Sequence, residues 1–195
     1  MKVERRSFVV DEFRIEGDEG KTIVGHAAIF NSLSEDLGGF REQIASGSFT
    51  RAIGEDDVRA LFNHDANLIL GRNRAGTLKM SEDERGLKVE ITPPDTVFAN
   101  DLMKSIKRGD VTQMSFAFRV VKENWEHGKG GEPDIRTLQE VELFDVSPVT
   151  YPAYKQTDVG LRSLEDIATE GRERLKKKEV DYSLYEKQQV QATCE

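Results

Sequence analysis

Three short stretches of the chain carry the residue types that nucleophilic hydrolysis requires. Ser115 lies among apolar residues in 112–118, His64 lies in 61–65 (LFNHD), and Asp145 lies in 142–152. Serine is a weak nucleophile until a base takes its proton, and a third group must orient that base. A serine in a strand most often bonds only to backbone or to water, so Ser115 is of interest because of the other two stretches. Together they predict a hydrolytic triad.

The elements that position these residues are predicted to be strands. Phe116 and Phe118 flank Ala117, so a strand here sends alternate side chains to opposite faces of a sheet. Further strand patterns occupy residues 22–30, 58–62, 87–91 and 136–149. The mixed pattern from Met1 to Ile15 predicts a single strand that forms a hairpin with 22–30.

Two helices are predicted between these strands. Ser48 is placed to cap a short helix that carries Phe49, Ala52 and Ile53 at helical spacing. A longer helix begins after Asp95 or Thr96, its apolar side contains Phe98, Leu102 and Ile106, and it ends at Gly109. Many short strands with few helices favour a mainly β, α+β fold: an antiparallel β-barrel surrounded by a few helices.

Length and composition suggest one main domain with an appended segment. The chain has 195 residues, and its character changes near residue 160. Residues 1–160 are therefore predicted to form the main domain. Residues 161–195 are predicted to form a charged tail, helical where Leu161, Leu164 and Ile167 keep helical spacing and flexible or partner-dependent towards the end.

Charge and residue usage exclude several classes of protein. A net charge of −8 argues against phosphate-driven binding to nucleic acid. No apolar run approaches the roughly 20 residues of a membrane span, and no apolar signal-peptide core follows the charged first residues, which favours a cytoplasmic protein. The single cysteine, Cys194, forms no internal disulfide. His26, His64 and His127 lack the spacing of familiar zinc sites, so we expect no metal and no cofactor.

Several short segments occur in a particular order along the chain: 25–31 (GHAAIFN), 44–49 (IASGSF), 61–65 (LFNHD), 70–72 (LGR), 86–87 (GL), 114–118 (MSFAF) and 145–154 (DVSPVTYPAY). Taken in this order, they resemble the prohead proteases of tailed phages. The resemblance spans about residues 23–157, and its His, Ser and last motifs follow that family's order.

This resemblance implies a serine endopeptidase that trims the scaffolding part of the major capsid protein and then digests itself. Such an enzyme works inside the immature capsid, in the host cytoplasm. The family is similar in fold to the herpesvirus assemblins, which are helix-decorated β-barrels that act as dimers. The resemblance therefore implies a homodimer whose partner is the major capsid protein with its scaffolding segment, and it makes 1–160 the protease domain.

The resemblance also implies roles for individual residues. Ser115 is the expected nucleophile and His64 the expected general base. The third position matches Asp145, where relatives often carry glutamate; because aspartate is shorter, Glu140 and Glu142 stay open as alternatives. Both have the opposite strand parity to Asp145 and would need a bulge to reach the same face. In assemblin-like enzymes the oxyanion donors follow the third residue, which points to the backbone near Ala153 or Tyr154.

Two other functions compete with this one. A non-enzymatic capsid assembly or scaffolding protein could keep the same barrel, and it predicts that Ser115, His64 and Asp145 lie apart. An unrelated hydrolase of small esters lacks support, because no Gly-x-Ser-x-Gly motif surrounds Ser115. The tail from about Lys176 is expected to be a packaging signal, a site of self-cleavage or an idle terminus.

Overall fold

The computed structural model of the chain describes residues 3–9, 13–17, 21–151, 169 and 171–176. These contain ten strands, the α-helices α1 and α2, and a further helical stretch at 171–176. A 3₁₀ helix spans Asn73–Ala75. The strands are β1 Glu4–Val9, β2 Arg14–Glu16, β3 Thr22–Ile29, β4 Phe40–Ile44, β5 Arg59–Phe62, β6 Asp65–Arg72, β7 Leu78–Glu82, β8 Gly86–Ile91, β9 Gln113–Glu126 and β10 Asp134–Val149, and the helices are α1 Thr50–Glu55 and α2 Val97–Arg108.

The strands lie in two sheets. Six strands form one sheet in the order β1-β9-β10-β5-β6, with β4 paired to β10, and four form the other in the order β2-β3-β8-β7. The predicted mainly β class is confirmed. The prediction of an antiparallel barrel was wrong in two respects. The described strands do not form a closed barrel, and β10 runs parallel to β5, with Asp145 opposite Arg59. Strands β6 to β9 all lie between β5 and β10 in the chain, which leaves room for the long crossover that a parallel pair needs.

The prediction of one N-terminal strand was wrong. Strand β1 pairs antiparallel with β9, whereas β2 pairs antiparallel with β3 in the other sheet. The expected hairpin therefore exists, but β2 alone forms its first strand. Periodicity along a strand reports which side chains are buried and not which strand lies beside it, so the sequence could not place β1 next to the serine strand.

The chain divides into two compact units, and the triad candidates belong to the first. That unit comprises Met1–Ser32, Ile44–Glu123 and Leu138–Tyr154. Aromatic rings pack in its core, with ring centroids 5.4 Å apart for Phe49 and Phe116 and 4.7 Å apart for Phe116 and Phe118. Fully burying such a side chain stabilises the fold by about 1.5–3 kcal/mol, so β9 is firmly anchored next to Ser115.

The helices of this unit confirm one cap prediction and correct another. Thr96 caps α2 by accepting the N–H of Ala99, and Gly109 ends the helix with a φ of 84°. Helix α1 begins after Phe49 without a side-chain cap. Ser48 is instead completely buried, and its hydroxyl lies within hydrogen-bond distance of two alternative acceptors, the carbonyl oxygens of Ala45 and Leu138.

The second unit comprises Leu33–Gln43, Asn124–Thr137 and Lys155–Glu195. Phe40, Trp125 and Leu175 form its apolar cluster, so Trp125 is a core residue of this unit. Glu42 and Arg136 form an ion pair of 2.8 Å with almost no exposure. Residues 171–176 are helical, while most of the predicted tail lies outside the described residues. No helix in the described part of the chain is long and apolar enough to cross a membrane.

Candidate active site

A tight turn between β5 and β6 presents His64. Phe62 pairs with Asp65, so Asn63 and His64 are the two central residues of a hairpin loop. Their φ angles are 53° and 57°, and a type I′ turn requires positive values at both positions. Positive φ is uncommon for residues other than glycine, but asparagine and histidine are among those that adopt it most often. The backbone is therefore bent sharply where the imidazole leaves it.

Asn63 ties this turn to the end of β10. Its backbone N–H donates to the carbonyl oxygen of Pro148 at 3.0 Å. Its side chain accepts the N–H of Thr150 at 2.9 Å and donates to the Thr150 hydroxyl at 3.2 Å. The turn that carries His64 is thus fixed to the strand that carries Asp145. The sequence reasoning did not assign Asn63 this part; an asparagine between two apolar strand patterns was the available signal.

The side chains of Ser115, His64 and Asp145 form one chain of hydrogen bonds. His64 Nε2 lies 2.7 Å from Ser115 Oγ, and His64 Nδ1 lies 2.6 Å from Asp145 Oδ1. A carboxylate can only accept, so Nδ1 carries the proton and Nε2 of the neutral ring is free to accept one. Ser115 is completely buried, and the side chains of His64 and Asp145 are 10% and 11% exposed. The imidazole is therefore held by a largely dry contact on each side.

Ser147 completes the surroundings of Asp145. Its hydroxyl donates to Asp145 Oδ1 at 2.7 Å, and Ser147 is completely buried. Residues two apart on a strand share a face, so β10 delivers both groups to the same place. A buried carboxylate needs such donors, because burial without hydrogen bonds is costly. The position of Ser147 two residues after an acid was a signal that the sequence reasoning did not use.

The backbone of β1 makes a further contact with the serine. Ser115 Oγ lies 2.9 Å from the carbonyl oxygen of Arg6, and Ser7 is the register partner of Ser115. A hydroxyl has one proton to donate, so Arg6 and His64 are alternative acceptors for it. Nothing in the sequence pointed to this contact, because it depends on β1 pairing with β9.

The alternative acids have other partners. Glu140 accepts a hydrogen bond of 2.9 Å from Arg51, and Glu142 accepts one of 2.7 Å from Arg119. Neither is brought to His64, in agreement with their opposite strand parity to Asp145. Asp65, next to His64 in the chain, instead accepts the N–H of Asn67.

Other sequence candidates lie elsewhere or outside the described residues. His26 pairs with Asp83 at 2.9 Å, and His127 pairs with Asp134 at 3.2 Å. The described residues contain no group of three or more His, Cys, Asp or Glu side chains that could hold a metal ion. The expected oxyanion donors near 153–154 fall outside the described residues.

The comparison with known proteins identifies the family. The family described as caudovirus prohead serine protease matches the chain over residues 9–172. No curated protein and no solved structure matches the chain significantly. The family match covers most of the chain and contains the turn of β5–β6, the serine strand and β10. The chain therefore belongs to the caudovirus prohead serine protease family.

Proposed function

We propose that this chain is a serine endopeptidase in which Ser115 is the nucleophile, His64 the general base and Asp145 the group that orients His64. The observation that carries this proposal is the continuous chain of contacts, 2.6 Å from Asp145 to His64 and 2.7 Å from His64 to Ser115. Both lie within the distance that proton transfer requires. Membership of a serine protease family supports the same chemistry independently.

The geometry accounts for each step of peptide cleavage. Ser115 Oγ attacks the scissile carbonyl carbon while its proton passes to His64 Nε2, and Asp145 stabilises the imidazolium that results. His64 then gives this proton to the leaving amine as the peptide bond breaks. Water then attacks the acyl-enzyme while His64 takes its proton. His64 gives this proton to Ser115 Oγ as the acyl group leaves.

The developing oxyanion needs donors that are already in position. Backbone N–H groups commonly fill this role, and removing a single donor of this kind costs about 10²–10³ in rate. Those that follow Asp145 along the chain, near Ala153 or Tyr154, are the proposed donors. They come just after the point where Thr150 is tied to Asn63, so a fixed strand end precedes them.

The proposed substrate is the scaffolding part of the major capsid protein, together with the chain itself. Support comes from the family description, which names the prohead, the immature shell in which the protein would act inside the host. We further propose that the chain acts as a homodimer. Confinement in the shell raises the effective concentration and would favour a weak dimer, so activity per molecule should fall on dilution.

The non-enzymatic alternative has less support. A capsid assembly protein without chemistry gives no reason for Ser115, His64 and Asp145 to meet, yet each lies within 2.7 Å of its neighbour in the chain of contacts. Ser147, which supports Asp145 from a completely buried position, would also lack a reason to be there.

The test is intact-protein mass spectrometry of the chain incubated with its capsid protein. The natural chain should cut the capsid protein and itself, whereas Ser115→Ala should leave both intact. Ser81→Ala is the matched control, because Ser81 is an exposed strand serine away from His64 and should not alter cleavage. Cleavage that persists in Ser115→Ala would reject the assigned nucleophile. No cleavage by the natural chain, even inside assembled shells, would favour the assembly protein.

A further inference from the structure

Strand β1 covers the edge of the serine strand. It pairs antiparallel with β9 over a six-residue register from Glu4 opposite Phe118 to Val9 opposite Gln113. Ser7 lies opposite Ser115, so the middle of β1 runs past the proposed nucleophile. Ser115 has no exposed surface in this arrangement. A peptide from solution cannot touch the hydroxyl while β1 is in place.

The contact between β1 and Ser115 is not one that leads to cleavage. The hydroxyl meets the carbonyl oxygen of Arg6 at 2.9 Å, whereas attack requires the carbonyl carbon to face the nucleophile. The Arg6 oxygen also competes with His64 Nε2 for the hydroxyl proton. Strand β1 therefore contacts Ser115 as a peptide substrate would, but its geometry does not allow Ser115 to cleave it.

Strand β1 lies at an edge of its sheet. Among the described strands of that sheet, it is hydrogen-bonded to β9 alone. Its described side chains, Glu4 to Ser7, are all polar, and Arg6 is held by Glu4 at 2.8 Å and by the ring of Phe118, 5.5 Å away. An edge strand hydrogen-bonds to one neighbour in its sheet, and segments with fewer contacts open at a lower free energy than the core does. Separation of β1 can thus occur while the rest of the fold persists.

We propose that β1 occupies the edge of β9 at which an extended peptide substrate pairs, and that it shields Ser115 until it is displaced. A free strand edge offers unpaired N–H and C=O groups, and an extended peptide can add to it as a new antiparallel strand. The inference rests on the proposed function, since it takes Ser115 as the nucleophile. It adds the place of the substrate and an autoinhibitory role for residues 4–9.

The test locks β1 to β9 with a disulfide that can be opened again. Arg5 and Ala117 are register partners, and antiparallel partners have Cα atoms close enough for a disulfide. The variant carries Arg5→Cys and Ala117→Cys, with Cys194→Ser to remove the natural thiol. The probe is an alkyl fluorophosphonate: Ser115 Oγ bonds to phosphorus, fluoride leaves, and the hydroxyl proton passes to His64. Intact mass gives the rate of labelling.

We expect the oxidised form to label at least about tenfold more slowly than the same protein after reduction, because the lock prevents local opening. The control pair Ser81→Cys and Lys88→Cys joins β7 to β8 in the other sheet and should label equally in both redox states. Equal rates for the locked and reduced β1 variant would overturn the inference and leave the proposed function standing. Slower labelling on oxidation in both the β1–β9 and the β7–β8 cysteine variants would also overturn the inference. No labelling of the Cys194→Ser parent, of the reduced β1 variant or of the proline variant described next would instead reject Ser115 as the nucleophile, and the inference with it.

A second variant tests the opposite direction. Neighbouring residues of an antiparallel strand alternate in whether their N–H faces the partner, so Arg6→Pro with Ser7→Pro removes one donor to β9 whichever residue supplies it. Labelling of Ser115 should be at least about threefold faster than in the natural chain, since β1 spends more time detached. An unchanged or slower rate in a folded protein would contradict the inference.

Discussion

The hydroxyl of Ser147 lies 2.7 Å from Asp145 Oδ1, the same oxygen that contacts His64 Nδ1 at 2.6 Å. One carboxylate oxygen thus receives a donor from its own strand and a donor from the hairpin turn. The Ser147 hydroxyl fixes the position of this oxygen. The oxygen in turn fixes the orientation of the His64 ring through its contact with Nδ1. Ser147 is therefore a positioning residue that acts on His64 through Asp145.

Removing the Ser147 hydroxyl should slow the reaction without weakening substrate binding. We expect Ser147→Ala to lower kcat about tenfold, which corresponds to ~1.4 kcal/mol, with KM unchanged, because Ser147 is fully buried. Steady-state kinetics on a capsid-derived peptide measures both. Ser147→Thr keeps a hydroxyl and should recover most of kcat. The control Ser48→Ala removes an equally buried hydroxyl outside the site and should leave kcat unchanged; a matching loss there would show that the effect of Ser147→Ala is only structural.

Replacing Asp145 with its amide tests the third member of the triad. The Asn side chain can present its NH₂ group to His64 Nδ1 and favour the wrong tautomer, so Asp145→Asn should reduce kcat by about 10⁴-fold. Glu140→Gln and Glu142→Gln are the matched controls. Glutamine has the same shape as the glutamate that it replaces, and each of these glutamates contacts an arginine rather than His64. We expect less than about a threefold change in kcat for both.

The opposite pattern would reassign the site. A large loss of activity in Glu140→Gln or Glu142→Gln, with little loss in Asp145→Asn, would mean that the active enzyme rearranges β10. Circular dichroism of each variant separates that result from a failure to fold.

The local chemistry of the site was largely predictable from the sequence. Side chains two apart on a strand share a face, and this parity already separated Asp145 from Glu140 and Glu142. The ends of helix α2 were predictable for a similar reason, because Thr96 and Gly109 form hydrogen bonds with backbone groups that are at most four residues away. Such features depend on neighbours in the chain, and the printed sequence contains those neighbours.

Features that depend on distant partners were not predictable. The parallel pairing of β10 with β5 and the placement of β1 beside β9 follow from how whole strands stack, which periodicity does not report. Ser48 looks like a helix cap by its position but bonds to Leu138, 90 residues away. The roles of Asn63 and Ser147 likewise emerge only after β10 lies beside the hairpin.

Asp83 should make stability depend on pH in the acid range. Partial burial acts to raise the pKa of Asp83, but hydrogen bonds from His26 and from the backbone of Gly86 and Arg85 outweigh it and hold this pKa below its ordinary 3.8. A lowered pKa in the folded state means that the charged group stabilises the fold above pH 3.8, and that this contribution is lost as the pH falls through the lower, folded-state value.

Comparison of Asp83→Asn with the natural chain measures that contribution. At neutral pH the variant should be less stable to urea by less than about 1 kcal/mol. It loses the charged partner of His26, but the Asp83 side chain is 41% exposed and water weakens that interaction. The difference should shrink towards zero below the folded-state pKa. Glu84→Gln, a neighbouring exposed acid, is the control and should show no such trend. If the difference in stability between the natural chain and Asp83→Asn stays constant with pH, ionisation of Asp83 is excluded as its cause.

Two glycines should respond to alanine in opposite directions. A Cβ at Gly86 would lie 1.9 Å from the carbonyl oxygen of Ala28, so Gly86→Ala must displace β8 from β3 and should cost more than about 3 kcal/mol. A Cβ at Gly54, in helix α1, meets nothing within 4 Å, and Gly54→Ala should stabilise by about 0.5–1 kcal/mol. Thermal unfolding of both proteins gives the two signs. Equal effects would contradict the close approach of β8 to Ala28.

The contacts of the site join residues that are far apart in the chain: 51 positions separate His64 from Ser115, and 81 separate His64 from Asp145. Closing such long loops is slow compared with forming a hairpin, so these contacts come late in folding. A chain that is still emerging from the ribosome has no complete hydrogen-bond relay until β10 has been synthesised and has docked beside the hairpin. The order of the strands thus delays assembly of the proposed site until most of the chain has been synthesised.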